Sequence, residues 1–303
     1  MRAAVFDRYG PPEVLRIMEL SDPEPGPGHV RVRVRAAGVQ PFDVGVRRGR
    51  MSWMPAHFPQ TIGQEYSGVI DRLGPGAVEA GLEVGTAVLG STTMNGNAEL
   101  VAVPLEHVVR KPEELDFPTA AGLVAASQTA AGALRELAVE PGDVLLVHAA
   151  AGSVGTVAVQ LAVLAGATVI GTASPANHAY LRQLGAIPVA YGDDLVAAVR
   201  ATGNTPTVAL DAAGGAAIAQ SVRLGVAPDR IGTIVDDQAA AEHGARVVRA
   251  GRSPERLAEV VALAARGVLT MPIRAYPLAQ VVEAHAAVES RHGRGKVVLI
   301  VGQ

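Results

Sequence analysis

The sequence predicts an α/β protein, with a strand-rich first part followed by a parallel sheet with crossover helices. Three observations carry this. In the first third, short apolar runs are bounded by Gly, Pro or Asn, as strands of an all-β unit would be. From near residue 115, apolar runs of four to seven residues alternate with Ala-rich helical stretches. Between one such run and the next helix lies a glycine loop, AAAGSVG.

At 303 residues the chain exceeds the usual single-domain size, so one large or two medium domains are expected. A hydrophobic content of 49% with 18% charged residues suits a well-buried globular protein. Aromatics make up only 3%, so Ala, Val and Leu must build the core. The net charge of −3 gives no reason to expect nucleic acid or an anionic membrane as partner. With no cysteine, disulfides, thiolate metal sites and cysteine nucleophiles are excluded. MRAAVFDRYG has no apolar core of signal-peptide length, and no apolar run approaches the roughly 18 residues of a membrane span. The expectation is a soluble, cytoplasmic protein.

In chain order, DPEPGPGH is a turn run. Val30, Val32 and Val34 then alternate with Arg31, Arg33 and Arg35, a half-buried strand whose arginines form the wet face. SGVIDRLG, TAVLG and AELVAVP follow as further strands. In the second part DVLLVHA, ATVIGTA, TVALDAA and RIGTIVD lack alternation, as strands buried on both faces do. Between them VGTVAVQLAVLAG, NHAYLRQLGA and GAAIAQSVRLG read as helices, each ending at or near a capping glycine. The final stretch, from MPIRAYPLAQ to GKVVLIVGQ, ends in a strand that can rejoin the first part.

The strand Asp143 to His148 runs into Ala150-Ala151-Gly152-Ser153-Val154-Gly155 and a helix, a G-x-G-x-x-G fingerprint with alanine in first place. Gly152 allows close approach of a pyrophosphate, Gly155 allows tight helix–strand packing, and the helix N-terminus offers N–H groups to the phosphates. A purely structural turn is the competing reading. The second strand ends at Ser174 without the acid that would hold a ribose 2′-hydroxyl. Ser174, Asn177 and His178, with Arg182 following, suit a 2′-phosphate, so NADPH is the expected cofactor. Gly214 in LDAAGG closes a strand at the sheet's C-terminal edge, where cofactors lie in such folds.

The segments AAVFDRYGPPEVL, VRVRAAGVQPFDVGVRRG, IGQEYSGVI, AAAGSVG and AHAAVESRHGRGKVVL, in that order, resemble the medium-chain dehydrogenase/reductase superfamily and its zinc-free quinone oxidoreductase branch. The resemblance implies a GroES-like β-rich catalytic domain at 1–114 and 270–303, a Rossmann doubly wound domain at 115–269, and a cofactor between them. It also implies a homodimer formed through Rossmann edge strands, with RIGTIVD as the candidate edge. Zinc alcohol dehydrogenases of the superfamily carry a Cys ligand where this chain has Gln40 and a His where it has Gln64. Glutamine amides are poor zinc ligands, and the eight histidines show no ligand spacing, so no metal is expected. Glu65, beside Gln64, is then expected to be a structural acid bonding the loop or a nearby basic group.

The resemblance places Gln40 near the nicotinamide and substrate. Asp43 is open to two readings, a catalytic acid or a cap on its turn. Tyr66 is either a proton source reaching the cleft or an aromatic packed on the sheet. Gly45 stands where relatives often carry Tyr. Phe42, Trp53, Met54 and Met94 are candidates for an apolar substrate wall or for packing. Thr129 matches a position near the nicotinamide, Lys296 matches a family lysine and is expected to bind cofactor, with surface pairing as its simpler role, and His148 reads as packed. Without a Lewis acid, what remains is hydride delivery to an electron-poor acceptor, a quinone or an activated C=C bond. The alternatives are a biosynthetic enoyl reductase and a non-catalytic NADPH-binding sensor or structural protein.

Overall fold

A computed structural model describes residues 1–78, 81–249 and 251–302. The chain divides into two compact units, Met1–Ala125 with Ser253–Gln303, and Ala126–Arg252. Among the described residues no helix is long and apolar enough to cross a membrane.

The first unit opens with β1 (Arg2–Phe6), β2 (Leu15–Glu19), β3 (His29–Val39), α1 (Pro41–Arg47), β4 (Gln60–Thr61), β5 (Glu65–Leu73), β6 (Ala87–Ser91), β7 (Leu100–Pro104) and β8 (Val108–Arg110). In β3 the alternation buries Val30, Val32 and Val34 and leaves Arg33 and Arg35 exposed. Arg31 departs from the expected wet face. It is buried, and its Nε donates to Asp71 Oδ1 on β5 at 2.8 Å, because a guanidinium beside a paired strand is sheltered once a carboxylate satisfies it.

The unit boundary falls within α2 (Phe117–Glu136). The second unit repeats strand and helix: β9 (Val144–His148), α3 (Ser153–Leu164), β10 (Thr168–Thr172), α4 (His178–Gln183), β11 (Ile187–Val189), α5 (Leu195–Arg200), β12 (Val208–Asp211), α6 (Ala217–Arg223), β13 (Ile231–Thr233), α7 (Asp237–His243) and β14 (Arg246–Val247). All neighbours are parallel, in the order β11-β10-β9-β12-β13-β14. That is the doubly wound dinucleotide-binding order, and the progression of strands across the sheet switches sides between β9 and β12. Leu146, Ile170, Ala209 and Ile231 form the centre of one core cluster, packed with Leu195 and Val199 of α5, Ile218 of α6 and Ala240 of α7. RIGTIVD is not the sheet's edge. Its strand β13 lies between β12 and β14, a two-residue strand too short to stand out in sequence.

The chain then returns to the first unit through α8 (Pro254–Ala265), β15 (Ile273–Pro277), α9 (Val281–Glu289) and β16 (Lys296–Ile300). β16 lies between β15 and β3, completing a sheet ordered β15-β16-β3-β5-β6-β8 with β7 also paired to β3. β2-β1-β4 form a second, smaller sheet. The molecule is thus a mixed α/β protein with a GroES-like β-rich unit and a parallel-sheet Rossmann-like unit. The units divide after Ala125 and after Arg252, where 114 and 269 were expected; α8 packs on β8 and so lies with the first unit.

Candidate active site

In the first unit two strand ends carry the residues of interest. Gln40 follows β3 and is the N-cap of α1, with Pro41 at the first helical position, where its missing N–H costs nothing. Asp43 Oδ2 accepts a hydrogen bond from Gln40 N at 3.0 Å, one arm of a capping box, and the side chain is fully buried. The capping reading of Asp43 therefore replaces the catalytic one.

Gln64 precedes β5 and follows Gly63, whose φ of +101° and proximity to Asn97 exclude a side chain. A Cβ there would lie 2.4 Å from Asn97 Oδ1 and 2.7 Å from Asn97 N. Gln40 Nε2 donates to Gln64 Oε1 at 2.9 Å. The two residues that the resemblance sets at metal-ligand positions are thus joined to each other.

Glu65 is fully buried. Its Oε2 accepts from Ala125 N at 2.8 Å, and its Oε1 is ion-paired with Lys296 Nζ. Lys296, expected to bind cofactor or to pair at the surface, is 3% exposed and its ammonium is held by Glu65. This corrects both expectations: the start of β16 is inside the unit, and a buried ammonium needs a carboxylate.

Tyr66 is also corrected. It is fully buried in the core with Phe6, Ile62 and Ile70, and its hydroxyl has no hydrogen-bond partner among the described residues. Burial pushes the phenol far above its ordinary value. A Cβ on Gly90, its cross-strand neighbour, would lie 2.7 Å from the hydroxyl oxygen. Such a side chain packs; it does not deliver a proton.

Of the expected apolar wall, Phe42 and Trp53 meet with ring centroids 5.8 Å apart at 45°, and Trp53 is 68% exposed. Met54 is half-buried against the core, and Met94 is buried within it, which removes Met94 from any open wall. At Gly45 the space of a missing side chain is filled by Met51, whose Cε lies 2.5 Å from where a Cβ would be.

In the second unit the loop after β9 has the form that phosphate binding requires. Gly155 is sterically obligatory, since a Cβ would lie 2.4 Å from Ala149 O and 2.6 Å from Ala150 Cα. Gly152 faces only Ala149 O, at 3.3 Å, so its open side is left clear. Ala149 sits at φ +57° and is held by Thr172 Oγ1, which accepts from its N at 3.1 Å. Ala151 is buried, while Ser153, Val154 and Gly155 open α3, where first-turn N–H groups have no acceptor within the helix. Ser174, Asn177 and His178 are half-buried beyond β10, with Asn177 Nδ2 3.4 Å from Ser174 Oγ. Arg182 lies one turn along α4 from His178 and is exposed. Gly214, at φ +77°, donates its N–H to Asp211 Oδ1 at 2.8 Å at the end of β12. Thr129 is half-buried on α2.

His148 is packed, as expected. Its Nε2 meets Ser221 Oγ at 2.9 Å, and that hydroxyl donates to Ala217 O, so the imidazole is the donor and the serine is not activated. Burial lowers His148 to about 4, against the opposing pull of Asp211.

The alcohol dehydrogenase GroES-like domain model matches residues 26–148, and the zinc-binding dehydrogenase model matches residues 184–299. The quinone oxidoreductase structure from Coxiella burnetii is 30% identical, with a TM-score of 0.90 over 100% of this chain and 99% of that one. The chain belongs to the medium-chain dehydrogenase/reductase superfamily, in its quinone oxidoreductase branch. A mycobacterial member solved with NADPH is 27% identical, with a TM-score of 0.86 over 99% of this chain and 100% of that one. Human quinone oxidoreductase is 36% identical over 176 residues, 57% of this chain and 53% of the relative. The chain thus spans about half the length of the curated relatives it first matches. A polyketide synthase of Streptomyces halstedii is 34% identical over 298 residues, 90% of this chain but 5% of that much longer protein.

Zinc, which one of these family descriptions implies, does not suit the residues present. Gln40 and Gln64 offer amides, already bonded to each other. Among the described residues no three His, Asp or Glu side chains are grouped to hold a metal ion. A dinucleotide does suit the loop at Gly152 and Gly155, on the steric grounds given above.

Proposed function

We propose that this chain is a zinc-independent, NADPH-dependent reductase of quinones or of activated C=C bonds in small apolar acceptors. The observation that carries the proposal is the Gln40–Gln64 amide pair, which occupies the two positions where zinc relatives carry ligands. Bound NADPH would supply the hydride. Gly152, whose N–H is donated to Ala149 O at 3.0 Å, would let the pyrophosphate approach closely, and Ala151, Ser153, Val154 and Gly155 would hold it through backbone N–H groups, with Thr129 and Gly214 as further contacts. Ser174, Asn177 and His178 would donate to the 2′-phosphate, which no carboxylate at the end of β10 repels. That a related mycobacterial protein was solved with NADPH supports this choice.

Gln40 and Gln64 would donate hydrogen bonds to the oxygen that gains charge as the acceptor is reduced, the role a Lewis acid plays in zinc enzymes. Phe42 and Trp53 would offer an apolar face to the acceptor's ring or chain. Tyr66 takes no part, so the proton that completes the reduction would come from solvent.

The test is NADPH oxidation with a panel of quinones and 2-alkenones in the presence of a strong chelator. Turnover with at least one acceptor class supports the reading; none, with NADPH bound, leaves the non-catalytic sensor in its place. A second reading, an enoyl reductase dedicated to one biosynthetic pathway, is favoured by the match of nearly the whole chain to a segment of a polyketide synthase. Preference for an enoyl thioester over every quinone would establish it.

A further inference from the structure

Glu65 and Lys296 form a buried ion pair that the fold goes to some length to admit. Two charges taken out of water lose their hydration, and a buried pair of this kind is weak evidence for stability. Yet three features of the backbone make room for it. A Cβ on Gly38 of β3 would lie 2.6 Å from Glu65 Oε1 and 3.0 Å from Lys296 Cε. A Cβ on Gly122 of α2 would lie 2.6 Å from Ile273 Cδ1 and 3.3 Å from Lys296 Cγ. Ala125 of α2 turns its N–H to Glu65 Oε2 at 2.8 Å.

The location of the pair explains this. Glu65 is covalently next to Gln64, and Gly38, against which its carboxylate rests, lies two residues before Gln40. Val297, next to Lys296, is paired across the sheet with Val39, which immediately precedes Gln40. One ion pair therefore ties together the ends of β3, β5 and β16 at the points from which both amides project.

We propose that Glu65 and Lys296 are positioning residues that fix the Gln40–Gln64 amide pair in register. The carboxylate reaches two fixed donors on different elements, Lys296 Nζ and Ala125 N, so the start of β5 cannot slide or rotate without breaking one of them. An apolar pair of similar volume would fill the space but would have no such directionality. The inference rests on the role given above to Gln40 and Gln64.

The experiment uses the full chain with E65L/K296M, an apolar replacement of both partners. The side-chain amide signals of Gln40 and Gln64 in NMR spectra, assigned through Q40A and Q64A, report the pair directly and need no turnover. Melting temperature, the NADPH dissociation constant and kcat are read alongside. The expected result is loss or broadening of the protected amide signal and at least a tenfold fall in kcat, with NADPH affinity within twofold. A double variant that keeps both the amide signal and kcat overturns the proposal. So does a fall in kcat that tracks melting temperature while the amide signal persists. If E65L/K296M does not fold, E65D replaces it, because the shorter carboxylate keeps its charge but cannot span both donors; an unchanged amide signal there overturns the proposal. If the wild-type protein turns over no acceptor, the functional reading fails, while the amide signal still decides the role of the pair.

Discussion

Gln40 Nε2 donates to Gln64 Oε1 across 2.9 Å, joining the end of β3 to the start of β5. Each amide fixes the other's orientation, so the pair presents a defined polar face where zinc relatives have cationic metal. On the role proposed for the pair, replacing Gln40 by Ala removes a donor to the developing oxyanion. Loss of one such donor in other enzymes costs roughly a hundredfold or more in kcat. For Q40A we expect a fall of about tenfold to a hundredfold in kcat, with the NADPH dissociation constant unchanged by fluorescence titration. Unaltered kcat would remove Gln40 from the chemistry.

Tyr66 offers a sharper contrast. Its hydroxyl is buried without a partner among the described residues, so Y66F deletes an unsatisfied group without opening a cavity. The expected outcome is full activity, with stability unchanged or higher by up to about 1 kcal/mol in chemical denaturation. A large loss of kcat with a normal melting temperature would restore Tyr66 as a proton source.

Cofactor choice rests on the end of β10. S174D places a carboxylate beside the position assigned to the 2′-phosphate, and like charges repel. NADPH affinity should fall at least tenfold while NADH affinity holds or improves, as measured by paired titrations. G155A is the complementary case: a Cβ 2.4 Å from Ala149 O must displace backbone, so both cofactors should bind poorly and stability should fall by about 1–3 kcal/mol.

Two buried imidazoles make stability fall in acid, alongside the carboxylates of Glu99, Asp143 and Glu289, whose values are lowered too. Burial lowers His148 to about 4 and His285 to about 3, with the nearby Arg47 guanidinium adding to the effect on His285. In the unfolded chain both return to the ordinary 6.5. Their contribution is therefore complete above pH 6.5 and is lost as pH falls toward 4 and 3. Below the unfolded value each imidazole removes about 1.4 kcal/mol per pH unit. A melting-temperature profile should drop steeply on the acid side, and H285L, which cannot protonate, should flatten it.

Much of this was readable from the sequence. The period-two run of β3, the unalternating strands and the glycine loop each dictate a local structure, and their order dictates the two units. What could not be read lies in contacts between distant residues. Glu65 and Lys296 are 231 positions apart, and nothing near either one announces the other. Lys296 reads as a surface residue because lysine usually is one. The core position of Tyr66 depends on Gly90, a glycine on a neighbouring strand. Arg31 looks like its alternating partners Arg33 and Arg35, and only Asp71 on β5 distinguishes it. The capping role of Asp43 was visible as one of two readings, and the hydrogen bond to Gln40 N selects it.

The central claim is that the amide pair has taken the place of a metal. The measurement that tests it most directly is kcat with the best acceptor, before and after exhaustive chelation, with zinc content determined on the same samples. Turnover unchanged by chelation is expected in protein that holds only traces of zinc. Turnover that disappears on chelation and returns with added zinc would contradict it.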